Sequence, residues 1–244
     1  MRIPRCHVDM ALAANTEVTL PEAAARHLRQ VLRLRPGDAA ILFNGHDGID
    51  YQSRLLSQSK RAVRAQITSA GTVEPAPELA IHLALGISKS ARMDFALQKA
   101  VELGVASITP LITERTVVRL PEDRMAKRMN HWQGIIVNAC EQSGRRWLPD
   151  LNRVQRLDTW LENNKIPGLL LDPEAGKCLP DLPRPETGIC ILVGPEGGLS
   201  DQEKQLAGAN GLTGIRMGPR IMRTETAPLA AIAAIQVCWG DFAR

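Results

Sequence analysis

Gly188-Ile-Cys-Ile-Leu-Val-Gly-Pro-Glu-Gly-Gly-Leu-Ser-Asp-Gln-Glu203 decides the fold. Ile189 to Val193 form a short, wholly apolar run bounded by glycines, the pattern of a strand buried on both faces in a parallel sheet. Ser200-Asp201-Gln202-Glu203 is a capping box, which predicts a helix from Ser200 to about Asn210-Gly211. Leu212 to Met217 then reads as a second strand, and Met217-Gly-Pro-Arg-Ile-Met-Arg-Thr-Glu-Thr-Ala227 as a second Gly/Pro-rich loop. Thr224 or Thr226 is expected to cap the last helix, with Pro228 in its first turn. Strand, loop, helix repeated twice is the rhythm of an α/β parallel sheet. Ligands of such sheets bind beyond the carboxyl ends of the strands, so the two loops predict one pocket built largely from backbone.

The loops are unlike phosphate cradles. Neither Gly-x-x-x-x-Gly-Lys-Ser/Thr nor Gly-x-Gly-x-x-Gly occurs, and Glu196 at the tip of the first loop would repel a pyrophosphate. A neutral or cationic ligand with hydrogen-bonding edges is expected. A third loop, Asp172-Pro-Glu-Ala-Gly176, leaves the apolar strand Gly168 to Leu171 at the same edge.

Val193-Gly194-Pro195-Glu196-Gly197-Gly198-Leu199-Ser200, followed by Ile221-Met222-Arg223-Thr224-Glu225-Thr226-Ala227, resembles the RsmE family of ribosomal RNA methyltransferases, within the SPOUT superfamily. Three upstream motifs are similar to the same family: Arg2-Ile3-Pro4-Arg5, Gln98 to Val105 and Ala139 to Arg145. The resemblance spans essentially the whole chain. Met222 departs from the commoner Leu and Cys6-His7 from commoner aromatics.

Composition agrees with an enzyme of one large or two modest domains. The 244 residues include five cysteines with no Cys-x-x-Cys, which predicts neither structural disulfides nor a zinc site, and a reducing cytoplasm. No apolar run reaches 18 residues and no signal-peptide pattern opens the chain. Residues 1–73 hold 10 Lys/Arg against 6 Asp/Glu, whereas residues 74–244 hold 20 of each, so the net charge of +4 lies in the first third. That asymmetry fits a module that docks on nucleic acid. Arg26, Arg29 and Arg33 are expected on one face of a helix from Pro21 to Leu34.

A boundary falls at Gly71 to Pro77. Before it, short β stretches (16–20, 39–43, 51–56, 63–68) around that helix predict a small β-barrel in domain 1–73. Only Phe43 and Tyr51 could stack bases, so docking by shape and phosphate contact is expected. In domain 74–244, strands at Leu79 to Leu85 and Ile108 to Thr113 flank an amphipathic helix, Ser90 to Leu103. A long helix follows from Pro121 to Gly144.

The resemblance implies a PUA-like RNA-binding barrel and a SPOUT domain whose carboxy-terminal segment is threaded as a trefoil knot. It implies a homodimer that binds S-adenosylmethionine and methylates N3 of a uridine in 16S rRNA of the small ribosomal subunit, without metal or membrane. Cofactor contacts are then expected from Leu171, Gly194, Pro195, Glu196, Gly197, Gly198, Met217, Gly218, Ile221, Met222, Arg223, Thr226 and Ala227. The small residues after Ala227 fit either tight packing at a dimer interface or an ordinary core.

Uracil N3 must lose its proton before its lone pair can attack a methyl group, which calls for a base or for positive charge near the uracil oxygens. Arg223, in the cofactor loop, is the candidate for that charge. Glu225 and Glu141 are candidates for base or orienter. Arg2, Arg5, Arg26, Arg29, Arg33, Lys89, Arg92, Arg115 and Arg145 are candidates for RNA contact, with Arg145-Arg146 expected to be exposed. Two other readings share these features: a SPOUT enzyme acting on a ribose 2′-hydroxyl or another base, and a non-catalytic RNA-binding assembly factor.

Overall fold

The computed structural model describes residues 3–58, 62–118 and 122–242. Arg2 and Pro121 lie outside them. The chain divides into two compact units, residues 1–76 with 137–148 and residues 77–136 with 149–244.

The first unit carries β1 (Arg5–His7), β2 (Glu17–Thr19), helix α1 (Glu22–Arg26), β3 (Ala39–Phe43), β4 (Tyr51–Gln58) and β5 (Val63–Ala70). The sheet order is β1-β3-β4-β5-β2, antiparallel except for the parallel β1–β3 pair. Alternate residues of β5 (Val63, Ala65 and Ile67) face inward with Leu28, Leu42 and Leu55 to form its core. Each such large aliphatic side chain contributes about 1.5–3 kcal/mol by leaving water.

The helix expected over Pro21 to Leu34 is shorter and irregular. After α1, residues His27–Val31 form a π-helical turn, and Arg33 lies beyond it in the left-handed region at φ 54°. Leu34 closes the end by donating its N–H to the Leu28 carbonyl. The wider turn changes the angular spacing of the side chains, so Arg26, Arg29 and Arg33 do not form the single helical stripe their spacing predicts.

The second unit holds β6 (Ala80–Gly86), α2 (Ser90–Glu102), β7 (Ser107–Ile112), the start of α3 (Glu122–Ser143), β8 (Asp150–Leu151), β9 (Gln155–Arg156), α4 (Leu157–Asn163), β10 (Gly168–Leu171), β11 (Gly188–Val193), α5 (Asp201–Ala209), β12 (Leu212–Ile215) and α6 (Thr226–Cys238). Its sheet runs β12-β10-β11-β6-β7-β8, with β9 added to β7, and every pair is parallel. β11 is buried along its whole length, as its unbroken apolar sequence requires. β1, α4, β8 and β9 are too short or too weakly patterned to stand out in sequence.

The capping box forms as expected: the Glu203 N–H donates to Ser200 Oγ and the Ser200 N–H to Glu203 Oε2. The other predicted cap does not. Glu225 takes the N-cap position of α6 without a side-chain cap bond, because Thr224 Oγ1 is turned away to the Gly194 carbonyl. Gln236, buried in α6, donates to the Leu103 carbonyl and ties α6 to the end of α2. Among the described residues no helix is long and apolar enough to cross a membrane.

Candidate cofactor cavity

β10, β11 and β12 are adjacent and parallel, so the loops that follow them emerge together at one edge. They surround a cavity of about 660 Å³, within the usual range for a small-molecule site. Three backbone features shape its wall. The Gly198 N–H donates to the Pro195 carbonyl at 2.9 Å and closes a tight turn, with Gly198 at φ 69°. A Cβ on Gly194 would stand 3.0 Å from the Gly198 carbonyl carbon and from the Leu199 nitrogen. A Cβ on Gly86, at the end of β6, would stand 2.5 Å from the Pro195 nitrogen. The first loop is thus seated directly on the strand beside it.

A partly buried hydrogen bond joins the two Gly/Pro loops. Thr224 Oγ1 donates to the Gly194 carbonyl at 2.9 Å, and the Thr226 and Ala227 N–H groups both donate to the Arg223 carbonyl. Arg115 Nη1 donates to the Gly197 carbonyl at 3.1 Å. The Lys89 N–H donates to Glu196 Oε1 at 2.9 Å, and Arg92 Nη1 lies 3.4 Å from the same oxygen. The Glu196 carboxylate therefore bonds the connection between β6 and α2 while lining the cavity. Also on the cavity wall, Lys204 Nζ bridges Asp172 Oδ1 and Glu174 Oε2, both at 3.0 Å. The hydrogen bond that Lys204 donates to Asp172 is the main cause that raises its pKa.

Most residues expected to hold a cofactor line this cavity: Leu171 from β10, Gly194 to Gly198 from the first loop, then Met217, Gly218, Ile221, Met222, Arg223 and Ala227. Thr226 does not; it is exposed at the start of α6. Leu170, Asp172, Pro173, Glu174, Lys204, Arg220 and Thr224 also line the wall; none was named as a cofactor contact from sequence, although Arg220 and Thr224 lie within the second loop. The loop 172–176 at the same sheet edge was the available signal. Lys204 carries none, because only the fold brings α5 to β10.

The basic residues separate into groups. Arg92 and Arg115 line the cavity; Lys89 is exposed beside it. Arg26 and Arg33 are exposed and Arg29 half-buried in the first unit. Arg5, expected to contact RNA, is instead 7% exposed. Its guanidinium donates to the Cys140 carbonyl at 2.7 Å, Asp50 at 2.6 Å and the Arg145 carbonyl at 3.1 Å, and lies over the Phe43 ring. A buried cation bonded through both terminal nitrogens is a structural tie, though its Nε has no hydrogen-bond partner among the described residues. Arg145 and Arg146 are half-buried rather than exposed; Arg146 donates to the Thr72 carbonyl and pairs with Asp50.

Of the three candidates for the reacting centre, only Arg223 lines the cavity. Glu225 follows it, mostly buried, with Oε2 at 3.9 Å from Arg92 Nε. Glu141 lies in the first unit, where Oε1 accepts the His7 N–H at 3.0 Å and Oε2 faces His27 Nε2 at 3.5 Å.

A sulfonium cofactor with an amino-acid tail carries both signs of charge and needs backbone edges for its base. The residues present fit it: Asp172, Glu174, Glu196 and Asp201 stand among Arg92, Lys204, Arg220 and Arg223 on a Gly/Pro-rich wall.

Residues 74–236 match the family model of an RNA methyltransferase domain, and residues 20–68 that of an RNA methyltransferase PUA domain. Ribosomal RNA small subunit methyltransferase E of Buchnera aphidicola subsp. Schizaphis graminum is 32% identical over 242 residues, covering 98% of each chain. A crystal structure of the same enzyme from Neisseria gonorrhoeae, bound to S-adenosyl methionine, is 41% identical with a TM-score of 0.91, covering 99% of this chain and 100% of that one. A methyltransferase structure from Legionella pneumophila, in complex with the same cofactor, is 38% identical with a TM-score of 0.95 over 99% and 100% of the two chains.

Proposed function

The chain belongs to the ribosomal RNA small subunit methyltransferase E family, and on that premise we propose that it methylates N3 of a uridine in 16S rRNA. It is an S-adenosylmethionine-dependent rRNA methyltransferase whose sequence runs from a PUA-like domain to an α/β SPOUT-type domain. The observation that carries the reading is the cavity at the carboxyl edge of β10, β11 and β12, where Thr224 locks the second loop onto the first.

In this reading the cofactor rests on backbone. Gly194, Gly197 and Gly198 allow close approach, and Met217, Ile221 and Met222 present main-chain groups to the adenine edge. Leu171, Pro195 and Ala227 complete the apolar wall, with the carboxy-terminal segment threaded as a knot to bring α6 behind it. Bound there, the cofactor supplies a methyl carbon activated by a sulfonium. The protein holds N3 in line with that carbon, and much of the rate comes from this positioning. Arg223, exposed at the cavity lip, offers positive charge to the uracil oxygens, and Glu225 orients the centre. Domain 1–73 docks on 16S rRNA through Arg26, Arg29 and Arg33, with Lys89, Arg92 and Arg115 at the cavity mouth. The enzyme works in the cytoplasm as a homodimer, for which Val237 and Phe242 leave exposed apolar surface at the end of α6.

The test is transfer of labelled methyl from S-adenosylmethionine to small-subunit rRNA and to assembled small subunits, read by nucleoside mass spectrometry. Label in 3-methyluridine is expected. Label in a 2′-O-methylated or other nucleoside refutes the N3 assignment, and a protein that binds rRNA with no transfer to either substrate is an assembly factor.

A further inference from the structure

Arg92 stands in the first turn of α2, where its N–H and that of Met93 both bond the Lys89 carbonyl, and its side chain reaches the cavity. Carboxylates from both cofactor loops flank it. Glu196 Oε1, of the first loop, lies 3.4 Å from Nη1, and Glu225 Oε2, of the second, lies 3.9 Å from Nε. Both separations exceed the 2.7–2.9 Å of a direct charge-assisted hydrogen bond. The Oε2 atoms of Glu196 and Glu225 are themselves buried without a hydrogen-bond partner. The two carboxylates therefore hold the guanidinium by charge while leaving its planar fork of N–H donors for another acceptor. Since Arg92 remains 39% exposed, an acceptor can reach it from the cavity.

The geometry of uracil says what that acceptor is. The N3 proton and an incoming methyl group share one direction in the ring plane. A carboxylate bonded to N3–H would stand where the methyl carbon must arrive. What the reaction needs at the moment of transfer is a cation against the negative charge on O2 and O4. We propose, on the reading of N3 methylation above, that Arg92 is a catalytic residue that stabilises the uracil anion, and that Glu196 and Glu225 are positioning residues that hold it. N3 loses its proton to solvent, its lone pair forms the N–C bond to the methyl carbon, and the C–S bond breaks with its electrons left on sulfur. Before uracil arrives, the two carboxylates also offset the repulsion between Arg92 and a sulfonium in the same cavity.

The test compares wild type, Arg92→Gln, Arg92→Lys and Glu225→Gln on two transcripts, one with uridine and one with 5-fluorouridine, whose fluorine acidifies N3–H. Single-turnover methyl transfer is measured from pH 6.5 to 9, alongside S-adenosylmethionine affinity by calorimetry. At saturating S-adenosylmethionine, Arg92→Gln is expected to slow transfer to uridine by about 100-fold or more, the effect of losing one anion-stabilising donor. The deficit should shrink by about tenfold on 5-fluorouridine RNA and as pH rises, because the base then ionises without help. Arg92→Lys keeps the charge and should lose less; Glu225→Gln should show a smaller loss with the same rescue. A deficit equal on both transcripts and flat with pH, or one explained by lost cofactor affinity, overturns the proposal. Absence of 3-methyluridine with wild-type enzyme overturns the N3 reading instead.

Discussion

Replacing Gly86 by Ala tests how the cofactor loop is seated. The added Cβ would lie 2.5 Å from the Pro195 nitrogen, 2.6 Å from Pro195 Cδ and 2.9 Å from the Gly194 carbonyl carbon. Ordinary contact begins at 3.4 Å, so the loop must retreat by about 0.9 Å. These neighbours are backbone and a proline ring, so no flexible side-chain tip can yield in their place. Overpacking of this kind costs about 1–3 kcal/mol. A protein of this size loses about 2–4 °C of melting temperature per kcal/mol. The displacement falls on the turn from Gly194 to Gly198, so S-adenosylmethionine binding should weaken by about 10- to 100-fold, or ~1.4–2.7 kcal/mol. Gly208→Ala is the matched control. Its Cβ meets nothing within 4 Å in α5, and the same methyl there should stabilise by about 0.5–1 kcal/mol. Calorimetric titration and thermal unfolding of both variants decide the matter. If Gly86→Ala binds the cofactor like wild type and melts within about a degree of it, the close seating of the loop is wrong.

Thr224→Val removes the donor that joins the two loops and keeps the side chain's shape. Cofactor affinity should fall about tenfold by calorimetry, the size of one buried hydrogen bond lost, while Thr224→Ser should retain it. Arg5→Met leaves Asp50 and two carbonyls without their main donor, so chemical denaturation should show a loss of about 3 kcal/mol; a stable variant with weakened RNA binding would restore Arg5 to the RNA-contacting set. Burial lowers the pKa of His7 and, against an opposing pull from Asp150, that of His82. The folded state thus resists protonation while the unfolded chain takes up protons below the ordinary histidine value of about 6.5. Stability should be full above that pH and fall on acidification from 7.5 to 5.5. The slope of melting temperature against pH should flatten in His82→Gln, and an unchanged slope would refute this linkage.

The two Gly/Pro-rich loops of the cavity were legible because their glycines and prolines lie within continuous motifs, and the strands before them because an unbroken apolar run such as Ile189 to Val193 has one stable environment. The capping box at Ser200 was legible for the same local reason: both partners lie within four residues. Thr224 was misread as a cap, since sequence ranks a threonine before a helix by local preference and cannot see a carbonyl 30 residues away. Arg5 was misread as an RNA contact because charge alone gives no burial. Gly86 passed unnoticed because its constraint comes from Pro195, 109 positions later.

Sequence by itself determined the parallel α/β sheet and the two loops that build the cavity wall, but not that residues 137–148 join the first unit. Those features rest on hydrophobic period, turn chemistry and short motifs, which are properties of neighbouring residues. Only the tertiary structure decided where the charges go: Lys204 and Glu196 on the cavity wall, Arg92 between two carboxylates, Glu141 in the first unit and Arg5 buried within it. The direction and partner of a charged side chain are set by segments that meet only when the sheet orders its strands, and no local pattern encodes that meeting.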